Sequence, residues 1–109
     1  MGPEAKIEAY LVKSVKDAGG MAVKNRGTRG FPDRTVLLNG LVVFIEVKAE
    51  GEEPRPEQIR MFTKISAIGC MVFVIDSKDR VDDFMVFMLQ DMEEDVGLIL
   101  PEHMNRMDS

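Results

Sequence analysis

Three residues with the chemistry of a hydrolytic centre, Asp33, Glu46 and Lys48, lie on either side of an Asn39-Gly40 dipeptide. The dipeptide separates two apolar runs, TVLL and LVVFI. Asn-Gly between such runs is the strongest short signal for a two-residue β-hairpin turn, because both turn residues need a positive φ. The sequence therefore predicts that a hairpin brings the two acidic residues and the lysine together.

A turn at these two residues fixes the register of the hairpin, with Leu38 opposite Leu41 and Asp33 opposite Glu46. Side chains alternate with period two along a strand, so one face carries Asp33, Thr35, Glu46 and Lys48. Two carboxylates that face each other about 5 Å apart destabilise a hairpin unless a positive charge lies between them. Our first interpretation of this pair of carboxylates is that they bind a divalent cation, with Lys48 beside it.

Mg²⁺ or Mn²⁺ suits this pair of acids, because hard cations bind carboxylate and carbonyl oxygens. The single cysteine and single histidine, far apart in sequence, argue against zinc. A bound metal would polarise a phosphoryl oxygen and activate water, and Lys48 could orient that water or stabilise charge on phosphorus. The alternatives are turn chemistry at Pro32-Asp33 and a solvent-facing edge strand at Glu46 and Lys48.

Two predicted helices each direct one polar residue toward the interior. The first helix, residues 3–18, has Glu8 inside its apolar stripe, where an unpaired carboxylate is costly, unless Glu8 lies at the margin and reaches solvent. The second runs from Pro56 to Gly69 and has Gln58 on its packed side. Its predicted buried face consists of Ile59, Phe62, Ile65 and Ile68.

The remaining patterns predict a mixed sheet flanked by helices, which is an α/β fold. Residues 21–24 suit a short strand. The apolar run of residues 70–75 suits a buried strand, parallel to the strand at 41–48 because a helical crossover joins them. Asp79 is the predicted N-cap of a third helix, which runs from Arg80 to about Asp91.

The charges of the chain are segregated along its length. The net charge is −5, but residues 76–109 carry ten acids against three Lys or Arg, whereas residues 1–75 carry a small positive excess. Local charge, and not the total, attracts a polyanion. We therefore interpret a basic cluster before the hairpin as a candidate nucleic-acid contact, with a solvated basic loop as the alternative. It consists of Lys24, Arg26, Arg29 and Arg34.

The length of 109 residues predicts one small domain, residues 1–91. Residues 92–109 form an acidic C-terminal tail, which we expect to pack either on the domain or at a dimer interface. One cysteine, Cys70, indicates a reducing compartment. Without a membrane-length apolar run or a signal-peptide pattern, we expect no membrane association and a cytoplasmic location.

Pro32-Asp33 followed by Glu46-Val47-Lys48 resembles the PD-(D/E)XK signature of restriction-endonuclease-like nucleases. The wider arrangement adds Glu8, the segments GFPDR (30–34) and FIEVKA (44–49), Gln58, and a strand ending VIDS (74–77). Together these resemble the VRR-NUC family, in its stand-alone phage and bacterial form, over residues 4 to about 88. The segment VID before Ser77 does not match the VRR of the family name.

The resemblance implies a restriction-endonuclease-like fold and a Mg²⁺- or Mn²⁺-dependent endodeoxyribonuclease. It implies metal ligation by Glu8, Asp33, Glu46 and the Val47 carbonyl, with catalytic roles for Asp33, Glu46, Lys48 and Gln58. It also implies a homodimer acting on branched or four-way junction DNA. Two alternatives stay open: a non-catalytic nucleic-acid-binding or assembly module with the same fold, and a phosphohydrolase for nucleotides or other small molecules.

Overall fold

The computed structural model describes residues 1–90, which form three helices and one four-stranded sheet. The elements in chain order are α1 (Pro3–Asp17), β1 (Met21–Lys24), β2 (Arg34–Leu38), β3 (Leu41–Val47), α2 (Pro56–Ala67), β4 (Val72–Ile75) and α3 (Lys78–Met88). The strand order is β1-β2-β3-β4. Strands β1, β2 and β3 are antiparallel, and β4 is parallel to β3. The predicted mixed α/β sheet flanked by helices is confirmed.

The predicted tail, residues 92–109, and Asp91 at the predicted domain end lie outside the described residues. Across residues 1–90, the helices are all too short or too polar to cross a membrane.

The hairpin of β2 and β3 has the turn and register predicted from sequence. Asn39 and Gly40 both adopt positive φ, 54° and 78°, as a two-residue turn of this kind requires. Leu38 pairs with Leu41, and the outermost pair of the ladder is Arg34 with Ile45. Asp33 and Glu46 therefore follow at the open end of the hairpin, where β2 begins and β3 ends.

The two faces of the sheet are covered by different helices. One face of the hairpin carries apolar side chains of β2 and β3, and these pack against α1 and α3 to form the main core. That core includes Ile7, Leu11, Val15, Val36, Val43, Ile45, Val47, Val81, Phe84 and Met88. Glu46 points to the opposite face because it lies between Ile45 and Val47. Helix α2 covers this second face, since its Gln58 contacts Glu46.

The buried face of α2 differs from the prediction. Phe62 and Ile65 are buried as expected, but Ile59 and Ile68 are 50% and 79% exposed. The buried stripe instead begins at Gln58 and continues through Phe62 and Ile65, at the i, i+4, i+7 spacing of one helix face. In this orientation Gln58 donates a hydrogen bond to Glu46 near the end of β3.

The start of α3 also differs from the prediction. Ser77, and not Asp79, is the N-cap, so the helix begins at Lys78. The backbone of Ser77 is extended and its Oγ accepts a hydrogen bond from the Arg80 N–H at 3.1 Å. Asp79 lies in the first turn, where an acidic side chain interacts favourably with the helix dipole. The helix ends at Met88, before the predicted end near Asp91.

Candidate active site

Asp33 lies at the end of the loop between β1 and β2, and its carboxylate contacts the end of β3. The Val47 backbone N–H donates a hydrogen bond to Asp33 Oδ2 at 2.9 Å. Asn25 holds the same loop from the other side: its N–H donates to the Asp33 carbonyl at 2.8 Å, and its side-chain Nδ2 donates to the Pro32 carbonyl at 3.0 Å. The position of Asp33 is therefore fixed by the backbone on both sides.

Glu46 is a buried carboxylate in the next to last residue of β3, with only 2% of its surface exposed. Its Oε2 accepts a hydrogen bond from Gln58 Nε2 at 2.9 Å and lies 3.2 Å from Lys48 Nζ, which is also buried. Among residues 1–90, its Oε1 has no hydrogen-bond partner. One oxygen of this carboxylate is thus held in place while the other is available.

The electrostatics of the site disfavour the negative charge of Glu46. Burial, followed by the charge of Asp33, raises the pKa of Glu46 above its ordinary value of 4.5. Lys48 and the hydrogen bond from Gln58 act in the opposite direction without cancelling the rise in pKa. The two carboxylates are therefore close enough to interact, as the hairpin register predicts, and together they exceed the positive charge that Lys48 supplies.

Gln58 joins this carboxylate to the start of α2. While its Nε2 donates to Glu46, its Oε1 accepts a hydrogen bond from the Arg55 backbone N–H at 2.8 Å. This second contact is half of a capping box, in which a side chain in the first turn satisfies a backbone N–H that precedes the helix. The inward orientation predicted for Gln58 is confirmed.

Glu8 lies on the other side of the sheet from Glu46. Its Oε2 is 2.8 Å from both Lys24 Nζ and Arg34 Nε, and Arg34 points to the α1 face because it pairs with Ile45 of the core. Glu8 is therefore largely buried and paired. Within residues 1–90, no three His, Cys, Asp or Glu side chains are grouped closely enough to hold a metal ion. The ligand role of Glu8 stays a prediction.

The ion pairs of Glu8 predict a pH-dependent contribution to stability. Burial raises its pKa, but the hydrogen bonds and charges of Lys24 and Arg34 outweigh burial and leave the pKa below 4.5. We expect Glu8→Gln to lower the free energy of unfolding at pH 7 by about 1–3 kcal/mol, because two partly buried cations lose their partner. Because the folded-state pKa is lowered, this contribution is complete above pH 4.5 and disappears as the pH falls below it.

Urea unfolding of the two proteins in EDTA, from pH 7 to pH 3, measures this difference. Asp17→Asn is the matched control, because it removes an acid of the same helix from an exposed pair with Lys13, which is worth at most about 0.5 kcal/mol. If the difference in free energy of unfolding between Glu8→Gln and the wild type grew as the pH fell, the ion pairs of Glu8 would not be the source of this stability.

The predicted basic cluster is divided between two places in the structure. Lys24 and Arg34 are paired with Glu8 on the α1 face. Arg29 is 87% exposed and its Nε lies 2.8 Å from Glu57 Oε2, in the first turn of α2. Arg26 is exposed. Three of the four residues are therefore engaged in ion pairs with two different acids, and the role of all four in nucleic-acid binding stays a prediction.

Sequence reasoning missed three residues around the site: Asn25, which holds the loop before Asp33, and Arg55 and Glu57, which flank Pro56. Asn25 carried a weak signal, since Asn in a loop often bonds to nearby backbone. Arg55 and Glu57 carried a stronger signal, because they lie within three residues of Gln58 at the predicted start of the helix.

The site therefore brings together Asp33, Glu46, Lys48 and Gln58 and leaves Glu8 in a separate ion cluster. Two carboxylates with an adjoining lysine form an arrangement that can bind a cation and a phosphate oxygen side by side. Asp33 precedes β2, Glu46 lies in β3, Lys48 directly follows β3 and Gln58 lies in α2.

Known proteins resemble this chain in both sequence and structure. No family model matches the sequence. A protein named "Putative nuclease p44" from Acyrthosiphon pisum secondary endosymbiont phage 1 is 47% identical over 79 residues, which are 70% of this chain and 85% of that protein. A solved structure described as a VRR_NUC domain has a TM-score of 0.71 and 30% sequence identity, and the match covers 78% of this chain and 96% of that one. This chain belongs to the VRR-NUC family of nucleases.

Proposed function

We propose that this protein is a metal-dependent DNA endonuclease that hydrolyses phosphodiester bonds in branched or four-way junction DNA as a homodimer. The observation that carries the proposal is the environment of Glu46. A buried carboxylate interacts with a second acid, Asp33, has Lys48 on one oxygen, and has no partner for the other oxygen among residues 1–90.

The donor set fits Mg²⁺ or Mn²⁺. An unpartnered buried carboxylate oxygen costs about 1–3 kcal/mol, and a cation would satisfy it and also offset the repulsion from Asp33. Asp33 and Glu46 would hold the ion, with the Val47 carbonyl as a further oxygen donor. Glu8 would join them only if its carboxylate left Lys24 and Arg34. When bound, the metal polarises a phosphoryl oxygen and lowers the pKa of a coordinated water.

Lys48 and Gln58 complete the proposed site. The Lys48 ammonium group lies beside Glu46, where it would stabilise the negative charge that develops on the phosphoryl oxygens. The Gln58 amide holds one oxygen of Glu46 and thereby orients the other toward the ion. Catalysis needs such fixed geometry, because small displacements of reacting groups reduce rates strongly.

The dimer and the branched substrate rest on the family resemblance and on symmetry. Each chain has one group of catalytic candidates within residues 1–90, so paired cuts in two strands require two subunits. Contacts to backbone phosphates carry no direct sequence information, which favours recognition of DNA shape over base sequence.

The test is a cleavage panel of duplex, flap and four-way junction DNA with Mg²⁺ or Mn²⁺, using the wild type and Asp33→Asn. The variant retains an oxygen that can accept from the Val47 N–H, so it should fold normally but lose cleavage by at least about 10²-fold. Sedimentation equilibrium measures the oligomeric state. Binding without cleavage for every substrate and metal would instead support the non-catalytic module, and equal cleavage by the variant would contradict the assigned site.

A further inference from the structure

Two exposed arginines share one carboxylate at the start of α2. Arg29 Nε lies 2.8 Å from Glu57 Oε2, and Arg55 Nε lies 3.7 Å from Glu57 Oε1. Their side chains are 87% and 70% exposed, whereas that of Glu57 is 28% exposed. Such exposed pairs contribute little to stability, about 0–1 kcal/mol each. The two guanidinium groups are therefore not needed to hold the fold together.

This arginine pair adjoins the candidate active site. The Arg55 N–H donates to Gln58 Oε1, and the same Gln58 side chain donates to Glu46, so one residue separates the pair from the catalytic carboxylate. Arg29 is held at this place by Gly30, which packs closely on α2. A Cβ at Gly30 would lie 3.0 Å from the Glu57 carbonyl oxygen, and its φ is +79°.

Lys24 and Arg34 are in a different situation. Their side chains are only 38% and 20% exposed, and both bind Glu8 on the α1 face of the sheet. Arg34 also donates to the Ala22 carbonyl at 3.0 Å. Arg29 and Arg55 thus lie on the side of the sheet to which Glu46 points, whereas the other pair lies on the opposite side. Arginine is also well suited to phosphate, because its planar group can donate two hydrogen bonds.

We propose that Arg29 and Arg55 bind backbone phosphates of the DNA next to the cleaved bond, and that Glu57 competes with those phosphates for both arginines. The proposal rests on the proposed function, since it assumes a DNA substrate at Glu46. In the free protein Glu57 neutralises part of the arginine charge. Binding of DNA exchanges this carboxylate for a phosphate, so Glu57 weakens the binding of DNA whose phosphates contact the two arginines.

Binding of labelled four-way junction DNA in EDTA, where no cleavage occurs, tests the arginines. We expect Arg29→Ala and Arg55→Ala each to weaken binding about three- to tenfold at 0.1 M salt and to reduce the salt dependence by about one phosphate contact. Arg80→Ala is the matched control, because Arg80 is an exposed arginine of α3 on the opposite face; it should bind nearly as the wild type does.

Glu57→Gln tests the competition. We expect it to tighten binding about two- to fivefold, and to lose this gain when Arg29 and Arg55 are both alanine. Asp79→Asn, which removes an acid from the first turn of α3, controls for total charge. Equal effects of the test and control variants would overturn the inference while DNA binding and the proposed function stand. Failure of the wild type to bind or cleave any DNA would overturn both.

Discussion

Replacing Lys48 with alanine is expected to slow DNA cleavage by about 10²–10⁴-fold while metal binding persists. Lys48 Nζ lies 3.2 Å from Glu46 Oε2, on the oxygen that Gln58 also holds, and not on the oxygen available to a cation. Its proposed role is to stabilise charge on the substrate. Its loss should therefore affect the chemical step more than the binding of Mg²⁺.

Single-turnover cleavage and thermal unfolding with and without Mg²⁺ separate these two effects. Both should be measured near pH 8, because Lys48 lowers the pKa of Glu46 and its removal favours the protonated carboxyl at lower pH. Lys13→Ala removes an exposed lysine of α1 and is the matched control. Cleavage by Lys48→Ala at the wild-type rate would exclude a catalytic role for Lys48.

Glu46→Gln is expected to lose both cleavage and stabilisation by metal. A ligand that binds only the folded protein stabilises it by about 2.7 kcal/mol at 100 times its Kd. The wild type should therefore unfold at a clearly higher temperature in saturating Mg²⁺ or Mn²⁺ than in EDTA. Glutamine retains an acceptor for Gln58 but lacks the charge that binds the ion, so most of this shift should disappear, together with at least about 10³-fold of the cleavage rate.

Glu4→Gln is the control for this comparison, because Glu4 is an exposed acid in the first turn of α1. It should retain both the thermal shift and cleavage. If metal raised the unfolding temperature of Glu46→Gln as much as that of the wild type, the ion would bind elsewhere in the protein. A comparison of Glu46→Gln with Lys48→Ala distinguishes a residue that binds metal from one that acts on the substrate.

Local rules were sufficient for the part of the site that lies on the hairpin. Asn39-Gly40 fixed the turn and the register, and the period of two then placed Glu46 and Lys48 on one face. Gln58 was also predictable, because its position in the first turn of a helix with an apolar face directs it inward.

The partners of Glu8 depend on long-range packing and were not predicted. Helical spacing showed a carboxylate in an apolar stripe, but the cations that bind it come from β1 and β2, 16 and 26 residues away. One signal was nevertheless present. The alternation that places Asp33 and Thr35 on one face places Arg34 on the other, so the basic cluster could not have lain wholly beside the candidate acids.

The exposure of Ile59 and Ile68 in α2 was not predicted. The hydrophobic spacing placed Ile59 and Ile68 inside, whereas the helix turns instead toward the hydrogen bond between Gln58 and Glu46. A polar contact between distant residues decides the orientation here, and its geometry is not encoded in the helix alone.

Because Gln58 belongs both to the start of α2 and to the carboxylate of β3, the site depends on the docking of one helix. Helix α2 is anchored to the sheet by few buried apolar side chains, Phe62 and Ile65 among them, while α1 and α3 share the larger core. Local opening of α2 should therefore cost less free energy than global unfolding. In such an opened molecule the sheet would persist while Glu46 lost its amide partner, so amide hydrogen exchange in α2 would report how often the proposed site is incomplete in the folded protein.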